Sequence, residues 1–387
     1  MRILFVCENY IPHYGGAEVV FKNLAERYVK RGHKVTLITH QLEGTPKEEI
    51  MGGVKVIRVP SLHSRYIFSF TSLPKVIRLA AKHDIIQTTT FNGMFPAFIG
   101  AKIVGRPVVL TIHEVWVGKW RKVTNFGWLK ATIHDLLERI LCLLWFDAYV
   151  CVSNATKKDL LKIGKKESRV KTIYNGLDYE FWNPKRYSNK ETVKIRKNLG
   201  LEKNYVAFSW GRPGESKGFE YAILAARKIK NKIPNFKLLF MFGSKEKHPE
   251  QYGRLMKMIK KENDLAIKHK MDAPIMVIDS VPYDVIGFYL KMADCAIIPS
   301  IAEGFGYTTA ESIAMEIPVV ASDAGSLPEV VSGKYLQFKS KDSTDLAQKV
   351  ILTAKRKYNQ TEIKKFEWKD TISKYLELYK ELILNKK

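Results

Sequence analysis

Ala293-Asp294-Cys295-Ala296-Ile297-Ile298-Pro299-Ser300-Ile301-Ala302-Glu303-Gly304-Phe305-Gly306-Tyr307-Thr308-Thr309-Ala310-Glu311 is the stretch on which the fold turns. Its short apolar opening, closed by Pro299, reads as a buried strand, and the residues after Gly306 read as a helix. Gly304 and Gly306 leave backbone N–H groups uncovered where that helix begins, a setting that favours an anionic ligand. Glu303 falls in the turn and Glu311 one to two turns into the helix, so the two carboxylates can hold different hydroxyls of one ligand. A strand, a glycine turn and a helix occur in every α/β protein, and the next segment narrows the reading. Ile317-Pro318-Val319-Val320-Ala321-Ser322 is a second buried strand, and it runs through Asp323-Ala324-Gly325-Ser326-Leu327-Pro328-Glu329 into a second helix.

Outward from this point the pattern repeats. Apolar, β-rich runs at Arg2–Cys7, Lys34–Thr39, Val54–Val59, Asp84–Thr89, Pro107–Ile112, Asp147–Val152 and Val170–Tyr174 alternate with helix-length segments. A second series follows at Tyr205–Trp210, Lys237–Phe242, Ile275–Asp279, Cys295–Ile298 and Pro318–Ser322. Such alternation specifies parallel sheets covered by helices, here α/β with two doubly wound, Rossmann-like domains. The Asn-, Pro-, Lys- and Tyr-rich stretch after Asp178 has no strand pattern. The expected division is therefore a first domain over 1–185, a linker over 186–202, a second domain over 203–367 and a C-terminal amphipathic helix over 368–387.

The run from Pro299 to Glu329 resembles the signature of the retaining glycosyltransferases of family four, the group-1 transferases of GT-B architecture. Two further loops carry the same resemblance. Gly211-Arg212-Pro213-Gly214-Glu215-Ser216-Lys217-Gly218 is similar to the family's Gly-Arg followed by Lys-Gly at the opening of its second domain. Asn9-Tyr10-Ile11-Pro12-His13-Tyr14-Gly15-Gly16-Ala17-Glu18 resembles its Gly-Gly loop, and lacks the third glycine of a dinucleotide fingerprint.

The resemblance implies roles. Arg212 and Lys217 would neutralise a departing diphosphate, whose charge grows as the glycosidic bond breaks. Glu303 and the amides of Gly304, Phe305, Gly306 and Tyr307 would hold sugar and phosphates, and Glu311 the ribose hydroxyls. Gly15 and Gly16 would face the donor phosphates, and His113 would meet the donor sugar at the end of the Pro107–Ile112 strand. Ser153, Asn154 and the Asn175-Gly176 turn fall near the same cleft as lining or structural residues. In the family the last helix crosses back onto the first domain.

The implied activity is transfer of a hexose (mannose, glucose or N-acetylglucosamine) from a UDP-sugar or GDP-sugar to a glycan or lipid-linked acceptor. No Asp-x-Asp occurs in the chain, so a metal-bridged diphosphate is not expected; no cofactor or metal is expected either. A nucleotide-sugar epimerase is the competing enzyme class, and a nucleic-acid-binding protein the competing non-enzymatic one. No recognition motif accompanies the latter, so no nucleic-acid partner is expected.

Composition sets the remaining bounds. The chain has 387 residues, 46% of them hydrophobic, enough for two cores. Its four cysteines, Cys7, Cys142, Cys151 and Cys295, lack metal-like spacing and read as reduced core thiols, which points to a cytoplasmic location. The apolar run Ile140–Phe146 is far too short to span a bilayer. The net charge of +25, with its larger share in the first half, points to a polyanionic partner, either nucleic acid or an anionic membrane surface, or else to a solvated lysine-rich surface with no partner. Trp116–Lys130 interleaves four cations with three tryptophans and a phenylalanine and contains no acid, a pattern suited to peripheral contact with an anionic membrane on its cytoplasmic face. Arg65–Phe70 is a smaller patch of similar kind.

Overall fold

The computed structural model describes every residue except Tyr14, Leu62, His63, Asn125 and Lys387. The chain divides into two compact units: residues 1–121, 126–176 and 366–387 in the first, and residues 122–125 and 177–365 in the second.

The first unit contains β1 (Arg2–Val6), β2 (Lys34–His40), β3 (Glu48–Met51), β4 (Val54–Val59), β5 (Ile85–Thr89), β6 (Val108–Ile112), β7 (Ala148–Cys151) and β8 (Val170–Thr172) in one sheet of order β3-β4-β2-β1-β5-β6-β7-β8. All pairs are parallel except β3 with β4. β5, β6 and β7 are buried along their whole length, because helices cover both faces and leave no polar side. β3, polar and at the sheet edge, was not anticipated: its Glu-Glu-Ile-Met run alternates only between exposed and half-buried positions. The last helix, Trp368–Leu384, belongs to this unit. Its Tyr375 hydroxyl lies 3.1 Å from Thr111 Oγ1, its Tyr379 hydroxyl donates to Gln87 Oε1, and Arg27 stacks 5.0 Å over Trp368.

The second unit contains β9 (Tyr205–Gly211), β10 (Phe236–Phe242), β11 (Ile275–Ile278), β12 (Cys295–Ile298), β13 (Val319–Ser322), β14 (Lys334–Phe338) and β15 (Asn359–Gln360), in the order β11-β10-β9-β12-β13-β14-β15. Only the short last pair is antiparallel. Both units are α/β sheets of the doubly wound kind, as the strand periodicity indicates.

Residues 186–202 do not form the expected linker. Pro184–Arg186 is a single 3-10 turn and Asn189–Asn198 is a helix capped by Ser188, whose hydroxyl accepts from Glu191 N at 3.2 Å. Arg196 ties this helix to the second unit through Asp294 at 3.0 Å and the Met292 carbonyl at 2.9 Å. The units meet in sequence at Gly176–Leu177 rather than after residue 185. Polar composition misled here: the helix is short, with Thr192 its one buried residue and Ile195 only half-buried, so it lacks a continuous apolar stripe.

Candidate active site

In an open parallel sheet the crevice lies beyond the carboxyl ends of the strands, where the strand order reverses. In the second unit that point falls between β9 and β12, since β10 lies on one side of β9 and β12 on the other. The loops leaving β9 and β12 carry Arg212, Lys217 and Glu303.

Close backbone approach brings them together. Gly218 has φ +60°, and a Cβ there would sit 2.2 Å from the Pro299 carbonyl oxygen. The β9 loop can therefore lie against the β12 loop, and Ile301 N donates to the Ser216 carbonyl at 2.7 Å. As a result Lys217 Nζ reaches Glu303 Oε2 at 2.9 Å, and Ser300 Oγ donates to the same oxygen at 3.0 Å. The loop after β13 fixes Glu303 from the other side. Ser326 N donates to its carbonyl at 3.1 Å, and Gly325 stands where a Cβ would lie 2.4 Å from that oxygen.

Glu311, in the helix Tyr307–Ala314, is buried, only 6% exposed. Burial pushes its carboxyl up to about 8; the Tyr283 hydroxyl, donating at 3.4 Å, and the charge of Lys217 oppose the rise, and Glu303 adds to it. Tyr283 stacks on Phe181 at 5.1 Å and 15°, and receives a hydrogen bond from Trp182. Its ring is outward and its hydroxyl inward. Thr309 Oγ1, in the first turn of the same helix, is buried without a hydrogen-bond partner among the described residues, an unused hydrogen-bonding group at a helix N-terminus suited to an anion. Arg212 is exposed and has no acidic partner among the described residues; His248, held low chiefly by burial, is lowered further by its charge.

The first unit has its own cluster. Gly15 caps the helix Gly16–Lys30, and Glu18 in the first turn folds back so closely that a Cβ on Gly15 would lie 2.3 Å from its carboxylate. His13 Nδ1 approaches Glu18 Oε1 at 3.2 Å. His113 follows β6; burial lowers its pKa to about 4 against the opposing charge of Glu18, and its Nε2 is buried without a hydrogen-bond partner among the described residues. It is a neutral imidazole with one ring nitrogen left for a ligand. Tyr14, in the same loop, lies outside the described residues.

The site residues read from the sequence thus fall into two groups, with Arg212, Lys217, Glu303, Gly304, Phe305, Gly306, Tyr307 and Glu311 in the second unit and Gly15, Gly16 and His113 in the first. Ser153 and Asn154 are structural: Ser153 Oγ caps the helix Asn154–Lys162 by accepting from Thr156 N, and Asn154 Nδ2 donates to the Tyr174 hydroxyl at 2.8 Å. Gly176 makes room for Trp368. Sequence reasoning missed Ser300, Glu18, His13, Phe181, Trp182 and Tyr283. Tyr283 follows β11 at the carboxyl edge of the sheet, a position that could have marked it.

The Trp116–Lys130 segment is divided by the structure. Trp116 and Trp120 are half-buried and donate to Glu138, through Trp116 N at 2.9 Å and Trp120 Nε1 at 2.7 Å, whereas Trp128 and Lys130 are exposed. In the smaller patch Tyr66 and Phe70 are exposed. No helix among the described residues is long and apolar enough to cross a membrane.

Two Rossmann-like sheets, with cations, paired carboxylates and a helix N-terminus at a switch point, define a transferase of GT-B architecture. Residues 14–181 match the profile of Glycosyltransferase Family 4, and residues 191–366 that of Glycosyl transferases group 1. The chain belongs to the glycosyltransferases of family 4. It is 28% identical over 364 residues to an uncharacterized glycosyltransferase of Methanocaldococcus jannaschii, covering 89% of this chain and 87% of that protein. It is also 22% identical over 401 residues to the GPI3 subunit of the phosphatidylinositol N-acetylglucosaminyltransferase of Saccharomyces cerevisiae, covering 98% and 82%. Among solved structures, Anabaena HepE in complex with UDP and glucose superposes with a TM-score of 0.74 at 19% identity, covering 98% of this chain and 100% of that one. Sucrose-phosphate synthase of Thermosynechococcus elongatus gives 0.75 at 18%, covering 99% of each chain.

Proposed function

We propose that this glycosyltransferase moves a hexose from a UDP-sugar or GDP-sugar to a glycan or lipid-linked acceptor, with retention of anomeric configuration and without a metal ion. The observation that carries the reading is the Lys217–Glu303 pair at the β9/β12 switch point with buried Glu311 beside it. A nucleoside diphosphate placed there would meet Lys217 and Arg212 with its phosphates and Glu311 with its ribose. The donor's anomeric C–O bond to phosphate breaks, and a bond from that carbon to the acceptor oxygen forms. The acceptor proton passes to the leaving phosphate oxygen on the same face. Charge accumulating on the diphosphate is met by a guanidinium and an ammonium, which occupy the role a divalent cation has elsewhere. Lys217 is already positioned by Glu303, which Ser300 holds in turn, so little reorganisation accompanies that step. His113, neutral above pH 4, suits a hydrogen bond to an uncharged sugar hydroxyl. Support for a nucleotide sugar also comes from HepE, solved with UDP and with UDP-glucose. Membership of the family favours transfer over the epimerase and nucleic-acid-binding alternatives.

The test is a thermal-shift panel of UDP- and GDP-sugars followed by product analysis with and without acceptor. A binding nucleotide sugar raises apparent stability by mass action, and transfer with retained configuration supports the reading. Inverted product, or free epimer from donor alone, refutes it.

A further inference from the structure

The helix Trp128–Cys142 is built inside out. Its acids face the protein: Glu138 is buried and accepts from Trp116 N and Trp120 Nε1, and Asp135 accepts from Gly118 N and from Arg139 at 2.7 Å. Its apolar side faces outward. Leu129, Ile133, Leu136, Ile140 and, just past the helix, Leu143 recur at spacings of three and four, a single stripe along one face. Leu129 is 63% exposed, Leu136 57% and Leu143 70%. Single exposed leucines need no explanation, but a continuous stripe opposite a buried glutamate does.

Its borders indicate what covers it. Trp128 stands at one end and Trp145 at the other, 66% and 55% exposed. Lys166 and Arg169 each lie 5.6 Å over the Trp145 ring, and Lys130 lies 4.1 Å over Phe126. The helix's acids are turned inward, so the outward rim is cationic, in a chain of net charge +25. Tryptophan at both ends, an aliphatic stripe between and cations at the rim suit the headgroup boundary of an anionic bilayer. A protein partner or second copy would not by itself call for the cationic border. Fifteen residues span about 22 Å, short of the roughly 30 Å hydrocarbon core, so the helix fits along the surface rather than across it.

We infer that the Trp128–Cys142 helix, with Trp145, Lys166 and Arg169, is a surface that docks this transferase in the plane of an anionic membrane. The inference is independent of donor identity, and it moves the contact from Trp116–Lys130 to the outward face of the following helix.

The experiment uses the full chain in flotation with vesicles of phosphatidylcholine alone or mixed with phosphatidylglycerol. Wild-type protein is expected to float with the anionic vesicles and to show blue-shifted tryptophan emission. The double variant Leu136→Glu/Ile140→Glu is expected to lose about tenfold or more in partition. Lys166→Gln/Arg169→Gln is expected to lose about fivefold per charge on anionic vesicles, with no change on neutral ones. Circular dichroism and the donor thermal shift of these variants should match wild type, which separates failure of docking from failure of folding or of the transferase reading. Wild-type protein left in solution with anionic vesicles overturns the inference, as does equal flotation of the Glu variant. A dimer dissolved by that variant without vesicle binding assigns the face to a second copy and also overturns it.

Discussion

Replacing Glu311 by glutamine tests the electrostatics of the site most directly. The carboxyl is raised from an ordinary 4.5 to about 8, chiefly because burial strips its solvation. A group raised in the folded state contributes most to stability below its unfolded pKa, and that contribution is lost as pH rises toward the folded value. At about 1.4 kcal/mol per pH unit, the ceiling on the loss between those limits is about 5 kcal/mol, of which about 3 kcal/mol falls between pH 5.5 and 8. Glutamine has the same shape and no charge to desolvate. Its variant should therefore exceed wild type by no more than about 1–2 kcal/mol near pH 5.5 and by up to about 5 kcal/mol near pH 8. Urea unfolding of both proteins at the two pH values, read from a probe in the second unit, gives the difference. Donor affinity provides an orthogonal reading. If ribose hydroxyls donate to the Glu311 carboxylate, wild-type affinity rises with pH up to about 8, while the glutamine variant binds weakly at all pH values. Parallel stability profiles for wild type and variant would refute the reasoning.

Lys217→Ala is expected to lower kcat by roughly a hundredfold to a thousandfold, because it removes a preorganised charge and leaves Glu303 unpaired; steady-state kinetics showing less than about a threefold loss would reject Lys217 as the diphosphate's partner. Arg212→Ala, at an exposed position, should reduce kcat while leaving the unfolding free energy within about 0.5 kcal/mol of wild type. Activity assayed in EDTA should persist, and complete loss restored only by magnesium or manganese would contradict cation replacement by Arg212 and Lys217. Gly218→Ala places a Cβ 2.2 Å from the Pro299 carbonyl at a φ of +60°, so a destabilisation of about 1–3 kcal/mol should accompany weaker donor binding; unchanged values for both would show that the loops are not held together there.

Within the second unit much of the site was legible because its residues lie in loops at strand ends, and strand ends are marked locally by proline, serine and glycine. Lys217 and Glu303 could each be placed at the carboxyl edge of a strand. Their 2.9 Å contact could not, since it depends on how closely the β9 and β12 loops approach across Gly218. Phe181 and Trp182 were out of reach for a different reason. They stand in a stretch whose polar composition suggested the approach to a linker, and only the packing of Phe181 on Tyr283 brings them beside Glu311.

The sequence alone determined the alternating strands and helices, because a parallel strand covered on both faces must be apolar along its length and a turn must carry residues that break the pattern. It also determined which loops bear cations, carboxylates and glycines. Tertiary structure alone decided that Glu311 is desolvated, that His113 Nε2 lacks a partner among the described residues, and that the Trp128–Cys142 helix turns Glu138 inward and Leu129 and Leu136 out. Helical periodicity defines two faces of a helix without saying which one the sheet will cover. That choice, like the solvation of a single carboxyl, is made by residues distant in the chain, and it exists only once they have packed.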